Sequence, residues 1–238
     1  MKMTNLAQQT LAGIVSNDHR TAAVLEKYQL DFCCKGKRTL EEACVEKGLS
    51  AAEITLELQS ADKPDSCCVT PFANMTAGQL IDYVVTRHHA YVKQAMPLIY
   101  SHLERVATKH GDRFPEMVAV FSMFDQLQKD MNLHMQKEEL VLFPAIKRAE
   151  LAFGNRNRVA NEAAIISRAV NVMESDHDTA GEIMQCIHEL THNYKEPYGA
   201  CTTFRLSLGE LQAFEEDLHR HVHLENNVLF PMAFTFIK

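Results

Sequence analysis

The sequence predicts an all-α protein: an antiparallel up-down-up-down four-helix bundle preceded by a small helical N-terminal domain. Three observations predict it. Four long segments repeat apolar residues at steps of three and four, and only short breaks separate them. Glycine and proline are scarce, 9 and 7 of 238 residues, while Leu, Ala, Glu and Met, all good helix formers, dominate long stretches. Hydrophobic residues make up 46% of the chain, enough to bury a sizeable core.

Residues 1–60 read as a domain of short helices. Leu6, Leu11, Ile14 and Val15 mark one amphipathic segment and Ala22 to Tyr28 a second, with Asn17 or Asp18 as its cap. Asp31-Phe32-Cys33-Cys34-Lys35-Gly36 reads as a turn. Thr39, followed three residues on by Glu42, has the spacing of a capping box that starts a further helix. Residues 61–75 form the linker, with Pro64 and Pro71 flanking Cys67 and Cys68. The bundle occupies residues 76–238, with helices at roughly 76–109, 114–150, 160–193 and 201–234. In the first of these, Ile81, Val85, Val92, Met96, Ile99 and Leu103 share one face. The breaks fall at His110-Gly111-Asp112, Phe153-Gly154-Asn155 and Glu196-Pro197-Tyr198-Gly199, and loops this short make successive helices antiparallel neighbours.

A formal net charge of −7 argues against nucleic-acid binding, which needs a basic surface. No apolar run approaches the length that crosses a bilayer. Met1 to Gln9 lack the apolar block of a secretory signal, so a cytoplasmic protein is expected. The seven cysteines (Cys33, Cys34, Cys44, Cys67, Cys68, Cys186 and Cys201) are odd in number and read as reduced thiols rather than a disulfide scaffold.

The twelve histidines carry the chemistry, because some of them repeat. His134-Met-Gln-Lys-Glu138-Glu-Leu-Val-Leu142-Phe143-Pro144 matches His221-Val-His-Leu-Glu225-Asn-Asn-Val-Leu229-Phe230-Pro231, 87 residues further on, in histidine, glutamate, Val-Leu-Phe and proline. The match implies a duplicated helical hairpin. Residues four apart on a helix project from nearly one face, about 6 Å apart along the axis, so an imidazole and a carboxylate so placed can reach one metal or a metal and its neighbour. The duplication then demands matching ligands on the first and third helices. His177 lies on the third, and 88 residues before it stands His89. The expected set is His89, His134, Glu138, His177, His221 and Glu225. Four imidazoles, two bridging carboxylates and an oxo or hydroxo bridge would give each of two iron ions five donors, leaving a position open for oxygen, nitric oxide or peroxide. Imidazole–carboxylate ligation also suits manganese, and zinc stays open.

Other readings compete. A lone His-x-x-x-Glu usually marks a solvated face or an ion pair, and it is the repetition that points to metal. Asp130 and Asp176 are candidates to orient imidazoles, or are surface carboxylates. His88, His219 and His223 rival their neighbours, but only one of each group can face a given point. His19, His102, His110, His188 and His192 have no matching partner and read as surface or loop residues. A ferritin-type site built on Glu174/His177 and Glu216/His219 would orphan His221 and Glu225. Pro144 and Pro231 each remove a helical hydrogen bond, kinking the helices beyond the site or ending their regular part. Vicinal cysteines rarely bond to each other, so Cys33-Cys34 reads as a thiol pair open to metal, nitric oxide or disulfide exchange, or as one buried cysteine beside an incidental one.

Taken together, these residues resemble the bacterial hemerythrin-like iron–sulfur cluster repair proteins of the YtfE/ScdA type, also called repair of iron centres proteins. Asp31-Phe32-Cys33-Cys34-Lys35-Gly36 is similar to the Asp-Tyr-Cys-Cys-Gly-Gly hallmark of that family's N-terminal domain. Met173-Glu-Ser-Asp-His177-Asp-Thr-Ala-Gly181, Ala200-Cys201-Thr-Thr and the segment from His221 to Pro231 resemble its C-terminal motifs. The resemblance covers essentially the whole chain. It implies a di-iron protein that restores iron–sulfur clusters damaged by nitrosative and oxidative stress, by iron delivery or by reducing nitric oxide, with damaged iron–sulfur proteins as partners, no membrane, and a homodimer among the assemblies it allows. It carries the ligand pattern onto the same six positions and a redox or iron-transfer role onto Cys33 and Cys34. Lys35 replaces a glycine of the pattern, and Cys67-Cys68 is not part of it. The alternative class is a hemerythrin-type oxygen-binding or sensing protein, which would have no need of the cysteine domain.

Overall fold

The computed structural model describes residues 6–61, 71–154 and 160–238, and among them every extended element is helical. α1 (Leu11–Asn17) starts at Thr10, whose hydroxyl accepts the Gly13 N–H at 3.1 Å. Asp18 caps a short 3-10 turn, His19–Thr21, that runs into α2 (Ala22–Lys27). Asn17, the other cap expected, is instead the last residue of α1. The carboxylate of Asp18 accepts the Arg20 N–H at 3.0 Å and so does the capping. α3 (Leu40–Lys47) begins in the predicted capping box, with Thr39 and Glu42 each accepting the other's backbone N–H. Gly48 ends it at φ 65°, a left-handed conformation that glycine adopts without steric cost, and α4 (Ala51–Ala61) follows. Most of the predicted linker, with Cys67 and Cys68, lies outside the described residues.

Four long helices follow. α5 covers 77–110 (Ala77–Tyr83, a π-helical stretch Val84–His89, and Ala90–His110). α6 covers 116–154 (Glu116–Lys137, π-helical Glu138–Leu142, and Phe143–Gly154). α7 is Ala160–Leu190 and unbroken. α8 covers 202–236 (Thr202–Leu224, π-helical Glu225–Leu229, and Phe230–Phe236). Side-chain pairs run in opposite directions along every seam. Tyr100 meets Phe121 and His89 meets Glu139; Arg148 meets Glu162 and His134 meets Asp176; His188 meets Glu215 and His177 meets Asn226; His102 meets Glu210 and His88 meets Asp217. The bundle is antiparallel, as the short breaks predict.

Its core falls into two apolar clusters. One contains Ala77, Leu80, Val84, Leu142, Ile146, Ile166, Val170, Leu229 and Phe230. The other contains Val92, Met96, Phe124, Met131, Met184, Leu211 and Phe214, and extends without a break into Leu11, Leu25, Phe32 and Leu40 of the N-terminal helices. α1–α4 are thus packed on the bundle. The Asp31–Gly36 loop lies on the α7/α8 seam, with Phe32 edge-on to His219 and His223 of α8 and Cys34 against Gly181 of α7. Gly36 closes that loop, because a Cβ there would collide with the carbonyl oxygen of Phe32.

Candidate metal centre

Between the two apolar clusters every long helix places polar residues in its core face at one level: His89 on α5, His134 and Glu138 on α6, His177 on α7, His221 and Glu225 on α8. None is more than 1% exposed. Three of the helices change pitch here. The π stretch of α5 ends at His89, and those of α6 and α8 begin at Glu138 and Glu225. A π turn takes in one extra residue and rotates the rest of the helix about its axis, a device common at functional sites. Pro144 and Pro231 occupy the second residue of the α-helical stretch that resumes after each π turn. The prolines therefore mark the return to α geometry and do not end the helices.

The structure brings all six residues expected from the repeat together, in two donor groups. His89, Glu138, His221 and Glu225 form one; His134, Glu138, His177 and Glu225 form the other, with the ligand atoms of each within 4.8 Å of one another. The two glutamates belong to both. Each imidazole turns its Nε2 inward: His89 and His134 stand 3.3 and 3.2 Å from Glu138 Oε2, His221 3.0 Å from Glu225 Oε1, and His177 3.1 Å from Glu225 Oε2. The Nε2 atoms of His134 and His177 face each other at 3.0 Å.

These distances are not a satisfied hydrogen-bond network. Both carboxylate oxygens of Glu138, Glu225 Oε2 and His89 Nε2 are buried without a hydrogen bond, the ion-pair separations notwithstanding. Unpaired buried polar atoms cost several kcal/mol each in an apolar interior, so a cluster of them aimed at one cavity fits a bound cation. Two anionic carboxylates shared between four imidazoles suit a pair of divalent or trivalent ions of intermediate softness.

The electrostatics agree. Burial opposes the charge on His134, but Glu138 and Asp176 outweigh it and raise its pKa to about 10. Burial likewise opposes Glu225, yet His221 and His177 hold its carboxyl well below the usual range. For His221 burial dominates and lowers the pKa. The shared carboxylates make the cavity anionic, which is the charge a cation would balance.

Three of the four outward Nδ1 atoms have oxygen partners, the arrangement that fixes the tautomer of a metal-binding imidazole. His89 pairs with Glu139 at 2.7 Å, His134 with Asp176 at 3.4 Å and His177 with Asn226 at 2.9 Å. The duplication persists in this outer layer, since Glu139 and Asn226 each follow the repeat glutamate by one residue. It then breaks down. Asp176 precedes His177, whereas His88, the residue preceding His89, stacks on His221 at 5.6 Å and pairs with Asp217 at 3.0 Å, leaving His221 Nδ1 without a partner. Of the two carboxylates offered by the sequence, Asp176 is an imidazole partner. Asp130 is not: it accepts from Gln126, one turn back on its own helix. Glu139, Asn226 and Asp217 escaped sequence reasoning, and His88 entered it only as a rival ligand, because their roles depend on which helices are neighbours. For Glu139, Asn226 and His88 the one signal available was position beside a repeat ligand.

Glu174 and Glu216 join neither donor group, so the ferritin-type alternative does not assemble; Glu216 pairs with Arg220. His188 bonds Glu215 at 2.9 Å and His102 bonds Glu210 at 2.7 Å, both away from the cluster. Cys33 and Cys34 also stand outside the two groups, on the loop over the α7/α8 seam. A cavity of about 210 Å³ between α6 and α7, lined by Met131, His134, Lys137, Asp176 and Ala180 among others, reaches His134 from the surface.

Known proteins share this organisation. The family described as hemerythrin HHE cation binding domain matches residues 80–233, and a domain of unknown function (DUF542) matches residues 7–62. A protein of Haemophilus influenzae named probable iron-sulfur cluster repair protein is 32% identical over 95% of this chain and 97% of its own length. The iron-sulfur cluster repair protein YtfE of Enterobacter sp. strain 638 is 33% identical over 94% of this chain and 96% of its own, and that of Citrobacter koseri 31% over the same shares.

Proposed function

The chain belongs to the hemerythrin-type iron–sulfur cluster repair family, and we propose that it holds two iron ions, oxo- or hydroxo-bridged, and uses them to restore iron–sulfur clusters damaged by nitrosative and oxidative stress. His89 and His221 would hold one ion and His134 and His177 the other, with Glu138 and Glu225 available to both. The observation that carries this reading is the sharing of both glutamates between two otherwise separate histidine pairs. The bundle at 76–238 is the iron-holding unit and residues 1–60 the accessory unit, joined by the linker at 61–75. The clients are damaged iron–sulfur proteins, and the work is cytoplasmic; no helix long and apolar enough to cross a membrane occurs among the described residues.

Repair proceeds by iron delivery, by removal of nitric oxide at the centre, or by both. When bound, the irons supply electrons and open positions for a diatomic ligand. The protein's share is to keep both glutamates ionised, to fix the imidazoles through Glu139, Asp176 and Asn226, and to admit small molecules along the cavity beside His134. Asp176, its pKa lowered to about 2 chiefly by the hydrogen bond to His134 and secondarily by Lys137, stays anionic at the mouth of that cavity.

The test is recovery of a cluster enzyme, such as an aconitase, after a nitric oxide pulse in cells lacking the protein. The chain should restore fast recovery, and the His134→Ala and His221→Ala variants should not. Equal recovery with and without the chain would refute the proposal.

A further inference from the structure

We propose that the two halves of the centre bind their ions unequally, the ion between His89 and His221 being the weaker held because His88 stands where the repeat calls for an oxygen partner. The proposal rests on the two-ion reading above and says which half yields first.

The duplication pairs the outer layer as well as the ligands. Glu139 and Asn226 are counterparts, each bonded to an imidazole of the neighbouring helix, His89 at 2.7 Å and His177 at 2.9 Å. Asp176 and His88 are counterparts too, each preceding a ligand histidine. Asp176 reaches across the α6/α7 seam to His134 Nδ1 at 3.4 Å. His88 reaches across the α5/α8 seam to the matching imidazole, His221, but meets it face to face, with 9° between the ring planes and 5.6 Å between centroids. A stacked ring steadies the imidazole's plane and offers its Nδ1 no acceptor. Asp217, one turn before His221 on α8, does not make good the loss. Its Oδ1 is taken by His88 Nδ1 at 3.0 Å, while its Oδ2 and His221 Nδ1 are both buried without a hydrogen-bond partner among the described residues.

The consequence lies in where the ring proton must sit. A neutral imidazole carries one such proton, and the nitrogen that binds a cation cannot hold it. Because Nε2 faces the cavity, ion binding requires the His221 proton on Nδ1, a buried position where no described residue accepts it. The free imidazole has the alternative of donating from Nε2 to Glu225 Oε1, 3.0 Å away. Binding at His221 therefore gives up a hydrogen bond and leaves a buried N–H unpaired by protein, the expensive side of that exchange. At His134 and His177 the outward proton meets Asp176 and Asn226. Each half has one carboxylate behind it, Glu139 or Asp176, so the bare Nδ1 of His221 decides the difference.

The experiment is an anaerobic chelator titration of the diferrous full-length chain, read as iron retained per chain. Two steps should appear, about tenfold or more apart in chelator, the scale on which outer partners of a ligand imidazole act. Removing one outer partner at a time assigns the steps. Asn226→Ala strips His177 and should draw the steps together, whereas Glu139→Ala strips His89 and should drive them further apart. His88→Asp/Asp217→Asn supplies the carboxylate that the repeat calls for and removes the like charge beside it, so the first step should move toward the second, a gain that damage to the fold would not produce. Two irons leaving in one step, reversed shifts in Asn226→Ala and Glu139→Ala, or a folded double variant with its first step unmoved would overturn the proposal while the two-ion reading stands. A chain that saturates at one iron would end that reading, and this proposal with it.

Discussion

The bundle layer and the Asp31–Gly36 loop gather ligand-type side chains in opposite ways. The layer is closed: six residues from four helices, none above 1% exposure, with imidazoles locked from behind by Glu139, Asp176 and Asn226. The loop draws its donors from four consecutive residues, presents one thiol partly to solvent, and depends on Asn227 to hold it in register. The difference teaches that duplication along helices and a single tight loop are two distinct ways of bringing such side chains together. The duplicated helical residues are sealed in a dry interior, whereas the short loop keeps one thiol partly toward solvent. Asn227, two residues beyond Glu225, is what ties the loop to the helix that carries the layer.

The largest effect expected is on the layer. His134→Ala or His221→Ala should abolish stoichiometric iron, measured by metal analysis after anaerobic purification, while the loop thiols still titrate with a thiol reagent. Next is the anchor of the N-terminal unit. Glu26 on α2 is 13% exposed in its side chain, has Oε1 buried without a partner, and lies 3.6 Å from Arg220 of α8. Burial raises its pKa to about 7, Arg220 opposes, and Glu216 and Glu215 add to the rise. A raised folded pKa means stability fully present below the unfolded value near 4.5 and lost as pH climbs through 7, up to about 3 kcal/mol. Glu26→Gln should flatten that part of the stability–pH curve in denaturant melts, and an unchanged slope would contradict the assignment.

Smaller effects sharpen the contrast. Glu139→Ala should weaken metal binding about 10- to 100-fold, roughly 1.4–2.8 kcal/mol, in competition with a chelator, and leave the thiol reactivity of Cys34 alone. Asn227→Ala should do the reverse. Loss of the bonds to the loop carbonyls, about 1 kcal/mol, should speed alkylation of Cys34 about fivefold with iron content unchanged.

Much of this was legible in the sequence. The four long helices were, because their apolar period is strong and their breaks carry glycine or proline. The six-residue layer was, because a duplicated hairpin repeats both the ligands and the Val-Leu-Phe-Pro that comes after them. The π turns were not, since they arise where helix geometry yields to the need to aim His89, Glu138 and Glu225 at one point. The outer partners were half legible. Asp176 was a candidate, but its partner is His134 across the α6/α7 seam, and Asp130, one turn before His134, turns its carboxylate to Gln126 instead. Cys33-Cys34 stood out as a pair, whereas the bonds from both backbone N–H groups to Asp31 emerged only from the folding of the loop.

The most direct test is iron stoichiometry with Mössbauer spectroscopy on the isolated full-length chain, alongside Glu138→Ala/Glu225→Ala. Two irons per chain, magnetically coupled and lost together in the double variant, are the expected result. One iron, uncoupled irons, or a full complement of iron in the double variant would contradict a centre bridged by both glutamates.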